Sequence, residues 1–145
     1  MRAGYPRRYV LAIMELQQPF IVYSEGRPPF HDGMGEEHAR VSFVCTRCSH
    51  AVERNVLSCL STGTEWFEAL PPEGQEAVAG VFGCSLERVG PNAIPYARFP
   101  NGSHAYLCTV QCPACQSRYV LAIDFYEKQP ARYIGVLQGA ASLAP

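Results

Sequence analysis

Short apolar runs alternate with glycine- and proline-rich punctuation along most of this chain, and only its middle carries a helical rhythm. Residues 9–16 and 20–23 are rich in β-branched and aromatic side chains, and Gln17-Gln18-Pro19 between them predicts a β-hairpin. Residues 24–37 contain Gly26, Pro28, Pro29, Gly33 and Gly35, a density of breakers that predicts an irregular loop. A short strand over 41–44 runs into Cys45-Thr-Arg-Cys48, and a turn at Ser49-His50 sends the chain back along 51–57. Helices follow. Thr64 caps a short run over 65–70, which Pro71-Pro72 ends because proline excludes the residue before it from helix. A second helix over 72–82 has proline in its first turn, Glu73 and Glu76 near its positive end and Gly83 at its exit. Ala77, Val78, Val81 and Phe82 share one face, the pattern of a helix packed on a sheet. Residues 85–100 read as loop, Asn101-Gly102 is a turn signal, and 104–110 is a strand leading into Cys112-Pro-Ala-Cys115. The last hairpin pairs 118–126 with 132–137 around 127–130.

One internal repeat stands out. Arg8-Tyr-Val-Leu-Ala-Ile13 recurs as Arg118-Tyr-Val-Leu-Ala-Ile123, and the same offset relates Tyr23 to Tyr133. Six identical residues in a row exceed what a shared strand composition supplies. The repeat predicts two equivalent hairpins, although the first copy has no cysteine pair before it.

At 145 residues, with 48% hydrophobic and 17% charged, the chain is long and apolar enough to bury a core, and one domain is expected over 1–145. Its parts are an N-terminal hairpin and loop (1–40), a first cysteine knuckle (41–57), a helical insertion and loop (58–105), and a second knuckle with a C-terminal hairpin (106–145). A formal charge of −1 disfavours general attraction to phosphate backbones or anionic membranes. The apolar stretch 9–14 stops at Glu15, short of the about 7–15 residues of a secretory signal and of the roughly 20 of a membrane span. A cytoplasmic location, where thiols stay reduced, is therefore expected, and seven cysteines fit poorly with a closed disulfide framework.

Cys45/Cys48 and Cys112/Cys115 are two Cys-x2-Cys pairs, each after a strand and before another. Two thiolates on one tight turn bind one ion, and two such turns complete a tetrahedron of soft ligands. The 63 residues between the pairs exceed the about 15–20 of a compact zinc site. Closing the longer loop costs only about 1 kcal/mol more, against roughly 10–16 kcal/mol from structural zinc. A thioredoxin-like redox pair needs a helix after the cysteines, and no helical pattern follows either pair. Iron accepts four thiolates as well, so spacing alone leaves zinc and iron, including an iron–sulfur site, open. Cys59 and Cys84 flank the helical region and Cys108 lies on a strand with apolar neighbours, and all three read as small buried hydrophobes. His50 and His104 read as surface or supporting residues beside the thiolates.

At these residues the sequence resembles the zinc-ribbon families, in which two cysteine knuckles at the tips of β-hairpins share one zinc. The resemblance covers 41–50 and 106–125. Cys112-Pro-Ala-Cys115 has the families' usual Cys-Pro-x-Cys form, whereas Cys45-Thr-Arg-Cys48 lacks the proline. Ser49 and Gln116 stand where those families commonly place glycine. The fold this implies is α+β: antiparallel hairpins of zinc-ribbon type with a helical insertion between the knuckles, holding one structural Zn2+.

A closed four-thiolate site has no open coordination position with which to activate water. The expected function is thus a non-catalytic, zinc-stabilised protein-binding module such as an adaptor, a regulatory subunit or an immunity-type inhibitor. Its partner is another protein, and the oligomeric state is left open, a homodimer included. The alternative is a zinc ribbon acting on nucleic acid or in transcription, with Arg47, Arg54 and Arg118 as a basic face and Tyr119 and Phe99 as stacking candidates. For a protein partner, the candidate surface is the C-terminal hairpin, where Tyr126, Arg132 and Tyr133 cluster.

Overall fold

The computed structural model describes residues 16–22, 30–31, 40–130 and 132–143. Its centre is a pair of long antiparallel strands, β8 (Arg118–Gln129) and β9 (Arg132–Leu143). β7 (Ala105–Gln111) pairs with β8, while β1 (Leu16–Val22) and the short β2 (Phe30–His31) pair with β9, all antiparallel. Two separate hairpins complete the strands: β3 (Arg40–Val44) with β4 (Ala51–Asn55), and β5 (Ser85–Val89) with β6 (Ile94–Arg98). Between the hairpins lie helices α1 (Val56–Thr62), α2 (Glu65–Glu68) and α3 (Pro72–Val81). Mostly antiparallel strands with short helices make the class α+β.

The unbroken apolar run at 119–123 follows from burial of β8 on both faces. Tyr119, Leu121 and Ile123 pack with Val41 and Phe43 of β3, Val52 of β4, and Val56 and Cys59 of α1. Val120 and Ala122 point the other way, onto Phe67 of α2, Val78 and Ala79 of α3, and Ala97 of β6. One strand therefore serves two cores. Each fully buried large side chain contributes about 1.5–3 kcal/mol, which makes β8 the element on which both layers depend.

Several local features match the sequence reading. The strand over 41–44, the helices near 65–70 and 72–82, the strand before Cys112 and the last hairpin all form. Gly83 and Gly102 take φ values of 71° and 91°, which only glycine adopts freely. Others are corrected. Gln17-Gln18-Pro19 is no hairpin turn: it lies inside β1, whose pairing with β9 shifts register between Gln17 and Ile21. Residues 85–100 are not loop but the β5–β6 hairpin, with Pro95 opposite Arg88. The return strand stops at Asn55, whose side chain accepts from the Ser58 amide at 3.1 Å and starts α1. Within the predicted loop 24–37, Phe30 and His31 form β2. The first copy of the hexapeptide repeat, and Tyr23, lie outside the described residues, as does the proposed strand over 9–15.

Candidate metal centre

The β3–β4 turn and the β7–β8 turn are built alike. In the first, the Cys45 amide donates to the His50 carbonyl at 2.9 Å and the Ser49 amide to the Cys45 carbonyl at 2.9 Å. In the second, the Cys112 amide donates to the Ser117 carbonyl at 2.8 Å and the Gln116 amide to the Cys112 carbonyl at 2.9 Å. Each turn needs one left-handed residue, and Ser49 (φ 64°) and Gln116 (φ 68°) supply it. These are the two positions at which zinc ribbons favour glycine, and here L-residues accept the conformation at a cost of about 1–2 kcal/mol each.

The turns bring all four predicted cysteines together, every sulfur lying within 4.8 Å of the others. Cys45 Sγ is 3.6 Å from Cys115 Sγ, and Cys48 Sγ is 3.6 Å from Cys112 Sγ. These are no disulfides, whose sulfurs sit about 2.05 Å apart. A tetrahedron with arms of about 2.3 Å has edges of about 3.8 Å, so the donor set fits a zinc-sized ion in kind and in spacing. Cys45 and Cys112 are buried, whereas Cys48 and Cys115 face solvent.

Hydrogen bonds to the sulfurs prepare the cluster for a cation. Burial pushes the Cys45 thiol up, but the Tyr119 hydroxyl and the Cys48 and Arg47 amides outweigh it and bring it down to about 6. Cys115 is lowered by the Ser117 hydroxyl, 3.0 Å away, and by the Ser117 amide. The His50 amide favours ionised Cys48, yet burial and the three neighbouring sulfurs prevail and raise that thiol to about 12. Four thiolates at this spacing repel one another until a cation sits among them.

Tyr119 is the supporting residue that the sequence reading misplaced. Its ring is fully buried, edge-on to Phe43 at 4.9 Å. Its hydroxyl lies 3.2 Å from Cys45 Sγ, accepts from the Thr46 amide at 2.9 Å, and meets the Thr46 hydroxyl at 2.9 Å. It thereby ties the first turn to β8, which leads out of the second. Phe99 is also buried, so neither ring is available to stack on a base. The only sequence signal for Tyr119 was its place on the strand that leaves Cys115.

The remaining candidates lie at several places in the fold. Arg47 and Arg118 border a hollow of about 260 Å3 beside Cys115 and Ser117. Arg54 is engaged: it donates to the Gln111 carbonyl, just before Cys112, and to the Glu53 carbonyl at 2.8 Å. Tyr126 is exposed, but lies seven residues along β8 from Tyr119, about 23 Å at strand rise. Arg132 pairs with Gln129 and Tyr133 with Glu127 through the backbone, and their side chains lie outside the description. His104 is far from the cluster in the fold, stacked on Tyr96. Cys59 and Cys108 are buried in the core, and Cys84 is half-buried.

No protein-family model, curated protein or solved structure matches this chain. Its class therefore rests on its own fold and site: an α+β chain whose two cysteine turns form a cluster suited to one metal ion.

Proposed function

We propose that the four cysteines hold one structural Zn2+ and that the protein is a non-catalytic protein-binding module. The observation that carries this reading is the convergence of Cys45, Cys48, Cys112 and Cys115 from two equivalently hydrogen-bonded turns. Four thiolates fill a tetrahedron, so the ion holds β3–β4 against β7–β8 rather than acting on a substrate. The chain's formal −1, four ionised thiolates and one divalent ion together give −3, which suits a protein surface better than a phosphate backbone. The same balance, with Tyr119 and Phe99 buried and Arg54 engaged, weakens the nucleic-acid alternative.

Elemental analysis of the purified chain should return one zinc and no iron. Cys45→Ser or Cys115→Ser should lose the metal and unfold or aggregate the protein, whereas Cys59→Ser should cost only a packing term. Equal stability of all three variants would contradict the assignment. Passage through heparin at low salt supports a protein partner, while retention abolished by substituting Arg47, Arg54 and Arg118 together supports nucleic acid.

A further inference from the structure

On the side of the molecule served by α2, a groove of about 260 Å3 runs between that helix and β6–β7. Leu60, Phe67 and Leu107 give it an apolar lining. One wall is a stack of rings: His104 lies 3.9 Å from Tyr96 at 17° and 4.0 Å from Tyr106 at 43°. At its mouth Ile94 is 57% exposed, and its cross-strand partner Val89 is 46% exposed, an apolar rim at the tip of the β5–β6 hairpin. The volume falls below the about 300–1,000 Å3 of drug-sized ligand pockets, and suits a single large side chain.

Acidic residues outnumber basic ones around the groove. From Val56 to Leu86 the chain carries Glu65, Glu68, Glu73 and Glu76 and no lysine, arginine or histidine. Glu68 borders the groove and forms no ion pair among the described residues. Two cations sit on the neighbouring hairpin: Arg98 donates to Glu87 at 2.7 Å and to the Gly102 carbonyl at 2.9 Å and lies 4.7 Å over the Tyr96 ring, while Arg88, cross-strand from Pro95, donates to the Gln75 side chain at 2.7 Å. His104 adds no charge near neutral pH, since burial and then Arg98 hold it below its ordinary value.

We propose that this groove docks a basic segment of a partner protein, which inserts one apolar side chain and sets its cationic neighbours against Glu68 and the acidic helices. The proposal rests on reading the protein as a binding module, and gives that module its contact surface. Aromatic anchors flanked by arginine are what such a pocket rewards, because the buried anchor supplies affinity and the rim charges supply orientation. The groove runs along β7, and its lining holds no residue of β3–β4 and none of the four clustered cysteines, so it is separate from the cysteine cluster.

The test titrates the zinc-loaded full chain with acetyl-Gly-Arg-Arg-Phe-Arg-Arg-Gly-amide, read by 15N–1H correlation spectra. Saturable shifts are expected at the amides of Phe67, Glu68, Ala97, His104 and Tyr106. A peptide with glycine for phenylalanine, or with glutamate for every arginine, should leave them unmoved. Glu68→Gln and Ile94→Ser change exposed positions and should keep the spectrum and zinc content intact; the first weakens binding by about two- to fivefold, the range of a surface ion pair. Shifts confined to other surfaces, equal binding of the glutamate peptide, or self-association that covers the groove each overturn the proposal. So does silence of the groove toward all three peptides. Such a failure leaves the module reading standing, because that reading falls separately, on retention by heparin.

Discussion

The Tyr119 hydroxyl shows how one buried polar group holds two turns in register. Tyr119→Phe removes the partner of the Thr46 amide and of Cys45 Sγ while keeping the ring against Phe43. A loss of about 1–3 kcal/mol is expected, read as a lower urea midpoint with the metal content of the parent protein retained. At Ser49 and Gln116 the opposite change is favourable. Glycine relieves the left-handed strain but adds freedom to the unfolded chain, so Ser49→Gly and Gln116→Gly should each fall between neutral and about 1 kcal/mol stabilising. Thermal unfolding of the metal-loaded protein checks this. The cysteine cluster itself was legible because Cys-x2-Cys is a short-range pattern with one main use. Tyr119 was not, since its partner Thr46 is 73 residues away and no local pattern marks such a pair.

Among the elements, α1 and β7 approach closely at Gly63. Gly63 ends α1, donates its amide to the Cys59 carbonyl at 2.8 Å, and accepts through its carbonyl from the Thr109 amide at 2.8 Å. A Cβ there would stand 2.6 Å from the Cys59 carbonyl oxygen and 3.0 Å from Cys108 Cβ. Gly63→Ala should therefore destabilise by about 1–3 kcal/mol, seen as a lower denaturant midpoint with faster exchange of the Thr109 amide. Strands with unbroken apolar runs were readable from sequence, β8 above all. The β5–β6 hairpin was not, because Gly90, Pro91, Asn92 and Pro95 dilute its apolar positions and look like loop. The sequence places Val56 and Leu57 at the end of the return strand, whereas they open helix α1, since a β-branched residue followed by Leu-Ser-Cys carries little local helix signal and the Asn55 cap decides the start.

Across the whole molecule, stability should fall away at both ends of the pH scale. Burial raises Cys59 from 9.0 to about 11, so its contribution is complete below about pH 9 and is lost as pH rises toward 11. Burial, then Arg98, lowers His104 below 6.5, so its contribution holds above that value and fades as pH drops. Protons would also compete with a metal ion for the thiolates. Urea midpoints measured from pH 5 to 11 should show a plateau bounded by these limbs, with the alkaline limb shallower in Cys59→Ala. If the cluster holds its proposed metal, chelation at neutral pH should lower the urea midpoint, because the ion would join two turns far apart in sequence. That separation has a temporal meaning. During translation at about 5–20 residues per second, Cys45 and Cys48 leave the ribosome several seconds before Cys112 and Cys115 do, because sixty-three residues intervene. For that interval the nascent chain offers half of the cysteine cluster, and any ion held by all four sulfurs must wait until the second pair has emerged.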